Sequence, residues 1–172
     1  EINEQIQHIR LSLAGIGPEI FLGLFFCLFL CAELFLMKWL SKEQISRWLH
    51  SIAIGGSIVA LLLVVGQWND QPAFRFQNLL FLDRQAVFFK VLVILAWIFT
   101  LIHVRIIRYD FPSEFNSLLI ATVTGLCLLT MSTHWLSIYL NLELISISSY
   151  ILVALSPYKK AAEGGIKYLL MD

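Results

Sequence analysis

Charge is what this chain has least of. Only 14 % of its 172 residues are Asp, Glu, Lys or Arg, where a soluble domain carries about a quarter. That deficit excludes a free-standing soluble domain, because so apolar a surface would not stay in water. The basic residues are few and spread among loops, so no nucleic-acid partner is indicated. Cysteine is equally scarce. Cys27, Cys31 and Cys127 all lie in apolar runs. Two thiols on one helix face, with no histidine near them in sequence, make neither a zinc nor an iron–sulfur site, and nothing argues for a disulfide. They read as packing residues. With no glycine-rich nucleotide loop, haem motif or cysteine cluster, the chain is expected to hold no redox cofactor of its own. The segment before the first apolar run lacks the basic start and small-residue cleavage pattern of a signal peptide, so that run is expected to remain as a membrane helix.

What fills the chain is hydrocarbon. Hydrophobic residues make up 59 % and the mean hydropathy is +0.79. The fold class expected is an all-α polytopic transmembrane helix bundle. Five complete spans are predicted, at about 20–40, 49–65, 84–103, 115–131 and 135–155, with a sixth helix starting near Glu163. The chain stops inside that sixth element, which reads as part of a longer protein. The four prolines, Pro18, Pro72, Pro112 and Pro157, all fall at span edges or in loops. Residues 1–14 are read as an interfacial helix or coil, and Gln67–Leu82 as a loop. Gly55, Gly56 and Ser57 form a small-residue patch where another helix can come close. Basic residues favour the loops after the first, third and fifth spans, which puts those loops in the cytoplasm and the N-terminus outside.

Several ionisable residues fall within these spans. Glu33, near the far end of the first, is placed to snorkel or pair locally with Lys38. Lys90, about two turns into the third, is read as snorkelling to the interface, with a buried acid partner as the alternative. His134 is placed at the interface where the fifth span begins. Glu143 is the acid hardest to accommodate. It lies eight residues past Trp135, ~12 Å along a helix at 1.5 Å per residue and so near the middle of a ~30 Å hydrocarbon layer. An acid there costs on the order of 2.5–3.5 kcal/mol on insertion scales. Tyr139, Glu143, Ser146 and Tyr150 follow helical spacings and form a polar stripe. Leu140, Leu144, Ile147 and Ile151 form an apolar face, while Asn141 and Ser148 lie off the stripe and are read as bonding backbone or a neighbour. Glu143 is read as an ion or proton site, with a structural ion pair as the alternative.

The run Leu-Asn-Leu-Glu-Leu-Ile-Ser-Ile-Ser-Ser-Tyr-Ile-Leu-Val-Ala, then a basic loop, then Glu-Gly-Gly-Ile-Lys-Tyr-Leu-Leu, resembles the antiporter-like membrane subunits of the proton-pumping NADH:quinone oxidoreductase, respiratory complex I. Within that family it looks most like the N subunit. Gly-Pro-Glu-Ile-Phe-Leu-Gly at the opening and the Asp83-centred start of the third span agree. The strong match covers about 115–170; the earlier spans match in pattern more than in residues.

This resemblance implies two regions: 1–114 as an N-terminal three-helix membrane region, and 115–172 as the start of an antiporter-like proton-translocation module. By position, Glu143 matches the family's fifth-helix glutamate, and Lys167 the lysine of its Glu-x-x-x-Lys-Tyr motif. Both are implied to serve proton translocation. The family's key lysines of helices seven, eight and twelve have no counterpart, because the chain stops first. The role implied is that of a non-redox subunit, not catalytic alone, in a bacterial inner (plasma) membrane. NADH, FMN, iron–sulfur clusters and quinone would lie in partner subunits. The partners implied are other complex I membrane subunits, an adjacent antiporter-like subunit and a small K-type subunit among them, together with lipid. A multisubunit cation/proton antiporter and a membrane-bound hydrogenase use the same module and stand as alternatives. A truncated structural or assembly remnant is a third.

Overall fold

A computed structural model describes residues 15–36, 42–76, 79–107, 114–155 and 161–171, together with Leu13 and Pro112. The expected interfacial segment before Leu13, the loop at 37–41, the basic loop at 108–111 and Lys159–Lys160 lie outside the described residues. Among the described residues six helices are seen: α1 Gly17–Leu36, α2 Lys42–Gly66, α3 Arg84–Ile107, α4 Glu114–Leu129, α5 Trp135–Ala154 and α6 Ala161–Met171. A short 3-10 helix, Gln67–Asn69, ends α2. The stretch expected as a loop also contains a small antiparallel hairpin, β1 Ala73–Arg75 and β2 Leu80–Leu82.

Helices α1, α2, α3 and α5 are long and apolar enough to cross a membrane. Helix α4, expected as the fourth of five spans, has only 16 residues, ~24 Å at 1.5 Å per residue against a ~30 Å hydrocarbon layer. The chain is therefore a helical membrane protein, with four span-length helices and one shorter apolar helix among the described residues.

Local chemistry sets the helix starts. Pro18 and Glu19 stand in the first turn of α1, where a missing N–H costs nothing and an acid complements the helix dipole. Asp83 caps α3, its Oδ1 accepting from the Ala86 N–H at 2.7 Å. His134 caps α5, with Nδ1 accepting from the Leu136 N–H at 3.2 Å. Its visible task is thus that of a helix cap.

The core runs between α1, α2, α3 and α4. Helix α1 buries Glu19, Leu22, Phe29 and Glu33, and α3 buries Lys90, Ile94, Trp97 and Leu101, each a stripe at helical spacing. His50 Nε2 lies 2.9 Å from the Leu101 carbonyl oxygen and ties α2 to α3. The hairpin closes one end of the bundle. Its β2 strand bonds the α4–α5 connection, Phe81 N–H to the Met131 carbonyl at 2.7 Å and Thr133 N–H to the Leu79 carbonyl at 3.1 Å.

Gly56 and Ser57 face inward, as expected of the small-residue patch, while Gly55 is exposed. The Phe25 ring occupies the space a side chain on Gly56 would need. Gly56→Leu should therefore overpack the α1–α2 contact by about 1–3 kcal/mol and lower the amount of full-length protein recovered from membranes. Recovery equal to the parent would show that α1 can move aside.

Candidate functional site

The residues the sequence singled out first lie on the outside of this chain. Glu143 is exposed, in the middle of α5. The Tyr139 hydroxyl, one turn earlier on the same stripe, lies within electrostatic reach of the Glu143 carboxylate. Ser146 and Tyr150 are partly buried, and the Tyr150 ring meets Tyr168 of α6 edge-on at 4.8 Å. Helix α5 instead turns its other side to α4. Gly125 of α4 admits Ile145 and Leu144 there. Asn141 and Ser148 are buried on that side: Asn141 Nδ2 donates to Ser132 Oγ at 2.9 Å, and the Ser148 hydroxyl to the Leu144 carbonyl at 2.7 Å. Their expected bonding to neighbour and backbone is met. Lys167, on α6, is exposed and pairs with Glu163 one turn before it, Nζ to Oε1 at 2.6 Å. The two proposed proton-site residues thus stand on adjacent helices, α6 packing on α5 where Gly165 meets Ala154 and the Tyr150 carbonyl. Each has a local partner on its own helix.

A buried ionic cluster lies elsewhere, and the residue reading of Lys90 as snorkelling is corrected by it. Lys90 is 0 % exposed and Glu19 4 %. Lys90 Nζ stands 2.5 Å from Glu19 Oε1 and donates to Gln67 Oε1 at 3.3 Å. Gln67 is itself buried and passes the chain on, its Nε2 donating to the Gly15 carbonyl at 2.9 Å. The Glu19–Lys90 contact is a buried ion pair. Beyond that ammonium neither Glu19 oxygen has a hydrogen-bond donor among the described residues. Lys90 is buried rather than snorkelled because it sits on the core stripe of α3, and its acid partner waits on the core stripe of α1. Cys127 of α4, fully buried, lies within electrostatic reach of both charges. Glu33 is buried too, at the other end of α1, rather than snorkelling; Lys38 lies outside the described residues. Among the described residues no group of three His, Cys, Asp or Glu side chains could hold a metal.

The chain is 33 % identical over 99 % of its length to NADH-quinone oxidoreductase subunit N 2 of Chloroherpeton thalassium, covering 34 % of that protein. The chain is a homologue of NADH-quinone oxidoreductase subunit N. Two further relatives agree. NAD(P)H-quinone oxidoreductase subunit 2 of Prochlorococcus marinus is 32 % identical over 99 % of this chain and 33 % of its own length. NADH-quinone oxidoreductase subunit N of Dehalococcoides mccartyi is 29 % identical over 90 % of this chain and 31 % of its own length. The chain spans about a third of the length of the curated relatives it matches. Its fold matches a chain of respiratory complex I from Thermus thermophilus, solved with bound aureothin, at a TM-score of 0.68 and 24 % identity. That match covers 90 % of this chain and 32 % of the other. No protein-family model matches. The subunit N relationship agrees with the apolar helices. It does not by itself assign a task to Glu143, Lys167 or the Glu19–Lys90 pair.

Proposed function

We propose that this chain is the membrane part of a proton-translocating NADH:quinone oxidoreductase subunit, and that it contributes Glu143 and Lys167 to a proton path. The similarity to subunit N along nearly the whole chain carries the reading. The Tyr139–Glu143 contact on an outward-facing polar stripe supports it. Relatives about three times as long have further chain to cover that stripe. Once covered, Glu143 and Lys167 would share a low-dielectric site, where each charge acts strongly on the protonation of the other. Withdrawing the lysine favours a proton on the acid, and returning it expels the proton. This chain's residues would hold and move protons, while NADH, FMN, iron–sulfur clusters and quinone work in partner subunits. Neighbouring antiporter-like and K-type subunits would flank it in a bacterial inner membrane. Residues 1–114 act as a three-helix membrane region and 115–172 open the translocation module, with α4 counted as the fourth of five spans and the N-terminus outside.

Replacing the full-length gene and measuring NADH:quinone activity with membrane acidification tests the assignment; loss of both on deletion and recovery on complementation is expected. Unchanged activity without the gene would refute it. The topology has its own check. A cysteine at Gln71, exposed beside the hairpin, should react with an impermeant reagent added outside. Reaction only from the cytoplasmic side would invert the arrangement.

A further inference from the structure

We propose that Glu19 and Lys90 form a second proton-exchange site, beneath the hairpin at the end of the bundle, with water as its ligand. The site goes beyond the reading above, which gives the proton task to Glu143 and none to the three N-terminal helices. It rests on that reading only in expecting proton movement to be measurable.

Three observations carry it. Both charges are buried among apolar helices, and stability alone is a poor reason for such a pair, since well-packed apolar side chains often serve as well or better. The carboxylate is also under-used. An ionised carboxylate accepts several hydrogen bonds, yet beyond the Lys90 ammonium at Oε1 neither Glu19 oxygen has a donor among the described residues. Buried acceptors of this kind are ordinarily satisfied by ordered water. The third observation is the location. Glu19 is in the first turn of α1, and Lys90 lies six residues past Arg84, ~9 Å along the helix. Gln67 continues the polar line from Lys90 to the Gly15 carbonyl, toward the same end.

The groups that face the pair are few. Lys90 comes from α3 and Cys127 from α4. The Arg75 guanidinium, from β1, packs over Gly15, one turn before Glu19. Helix α2 has no titratable residue after His50, at its opposite end. The exchange is simple to balance. A hydronium ion reaching the Glu19 carboxylate gives up its proton, leaving a carboxylic acid and water. The Lys90 ammonium keeps its proton and its bond to Gln67. The reverse step returns the proton to water.

The test uses the full-length protein in its assembled membrane complex. Glu19→Gln/Lys90→Met removes both charges with little change of shape, so assembly should survive. Infrared difference spectra between neutral and acidic buffer should show, in the parent, the carbonyl band of a newly protonated carboxyl. A component of that band should be lost in the double variant and kept in Glu143→Gln, which should lose a component of its own. Protons moved per turnover should fall by at least about twofold in the double variant, well inside what a positioned proton-transfer group contributes. Three results overturn the site: no band lost in the double variant, a parental proton yield, or failure of the double variant to assemble, which would assign the pair to packing. Loss in Glu143→Gln with none in the double variant sinks this inference alone; the converse sinks the Glu143 reading alone.

Discussion

Lys90→Met should be the most damaging single substitution in the three N-terminal helices. It leaves the Glu19 carboxylate buried without its counter-charge, and breaking a buried pair in this way costs about 3–5 kcal/mol. It also strips Gln67 Oε1 of its donor. Glu19→Gln should be milder. The amide keeps the shape, and the Lys90 ammonium retains Gln67 and gains an amide oxygen as acceptors. Adding Glu19→Gln to Lys90→Met should therefore recover much of the loss, the signature of two coupled residues. The measurement is the temperature at which the detergent-solubilised complex sheds this subunit, for the parent, both single variants and the double. If Lys90→Met and the double variant fall by the same amount, the two side chains are not coupled and the ion pair does not form.

That cluster also shows where sequence reasoning reaches its limit. Spans can be read from length and apolarity. The face on which Lys90 sits could not be read. A helix apolar all round has no polar side to mark the outside, so α3 gave no sign that Lys90 shares a stripe with Ile94, Trp97 and Leu101. Two turns from an end, a lysine can equally reach for the interface or pair inward. The deciding signal is Glu19, in the first turn of α1. An acid one turn into the first helix and a lysine two turns into the third lie at the same end of an up-and-down bundle, and that juxtaposition was available from topology alone. The hairpin was missed because three-residue strands carry too little alternation to register. On α5, the spacing separated the polar stripe correctly from Asn141 and Ser148. It could not tell which of the two sides would meet α4, and it is the short-range serine and asparagine contacts that face the bundle while Glu143 faces out.

The outward position of Glu143 sharpens what its substitution should do. Glu143 is exposed, whereas Gly125, Leu144 and Ile145 make the α4–α5 contact, so Glu143→Gln removes no packing from that interface. The glutamine keeps an oxygen to accept from Tyr139 and fills the same volume, but it cannot titrate. In the full-length protein and assembled complex, subunit amounts should thus stay near parental. Proton-coupled turnover should fall by at least about tenfold, a modest share of what a positioned proton-transfer group supplies. Glu143→Asp should be intermediate, because it keeps the carboxylate but withdraws it by one methylene from Tyr139. Lys167→Ala should weaken coupling less, since Glu163 rather than Glu143 is its partner here. NADH:quinone activity and acidification, measured together in vesicles holding equal amounts of complex, separate the cases. A glutamine variant that turns over and acidifies like the parent removes Glu143 from the proton path. One that fails to assemble shows instead that chain covering the stripe has placed a counter-charge against Glu143, and that the acid's first task is to hold it.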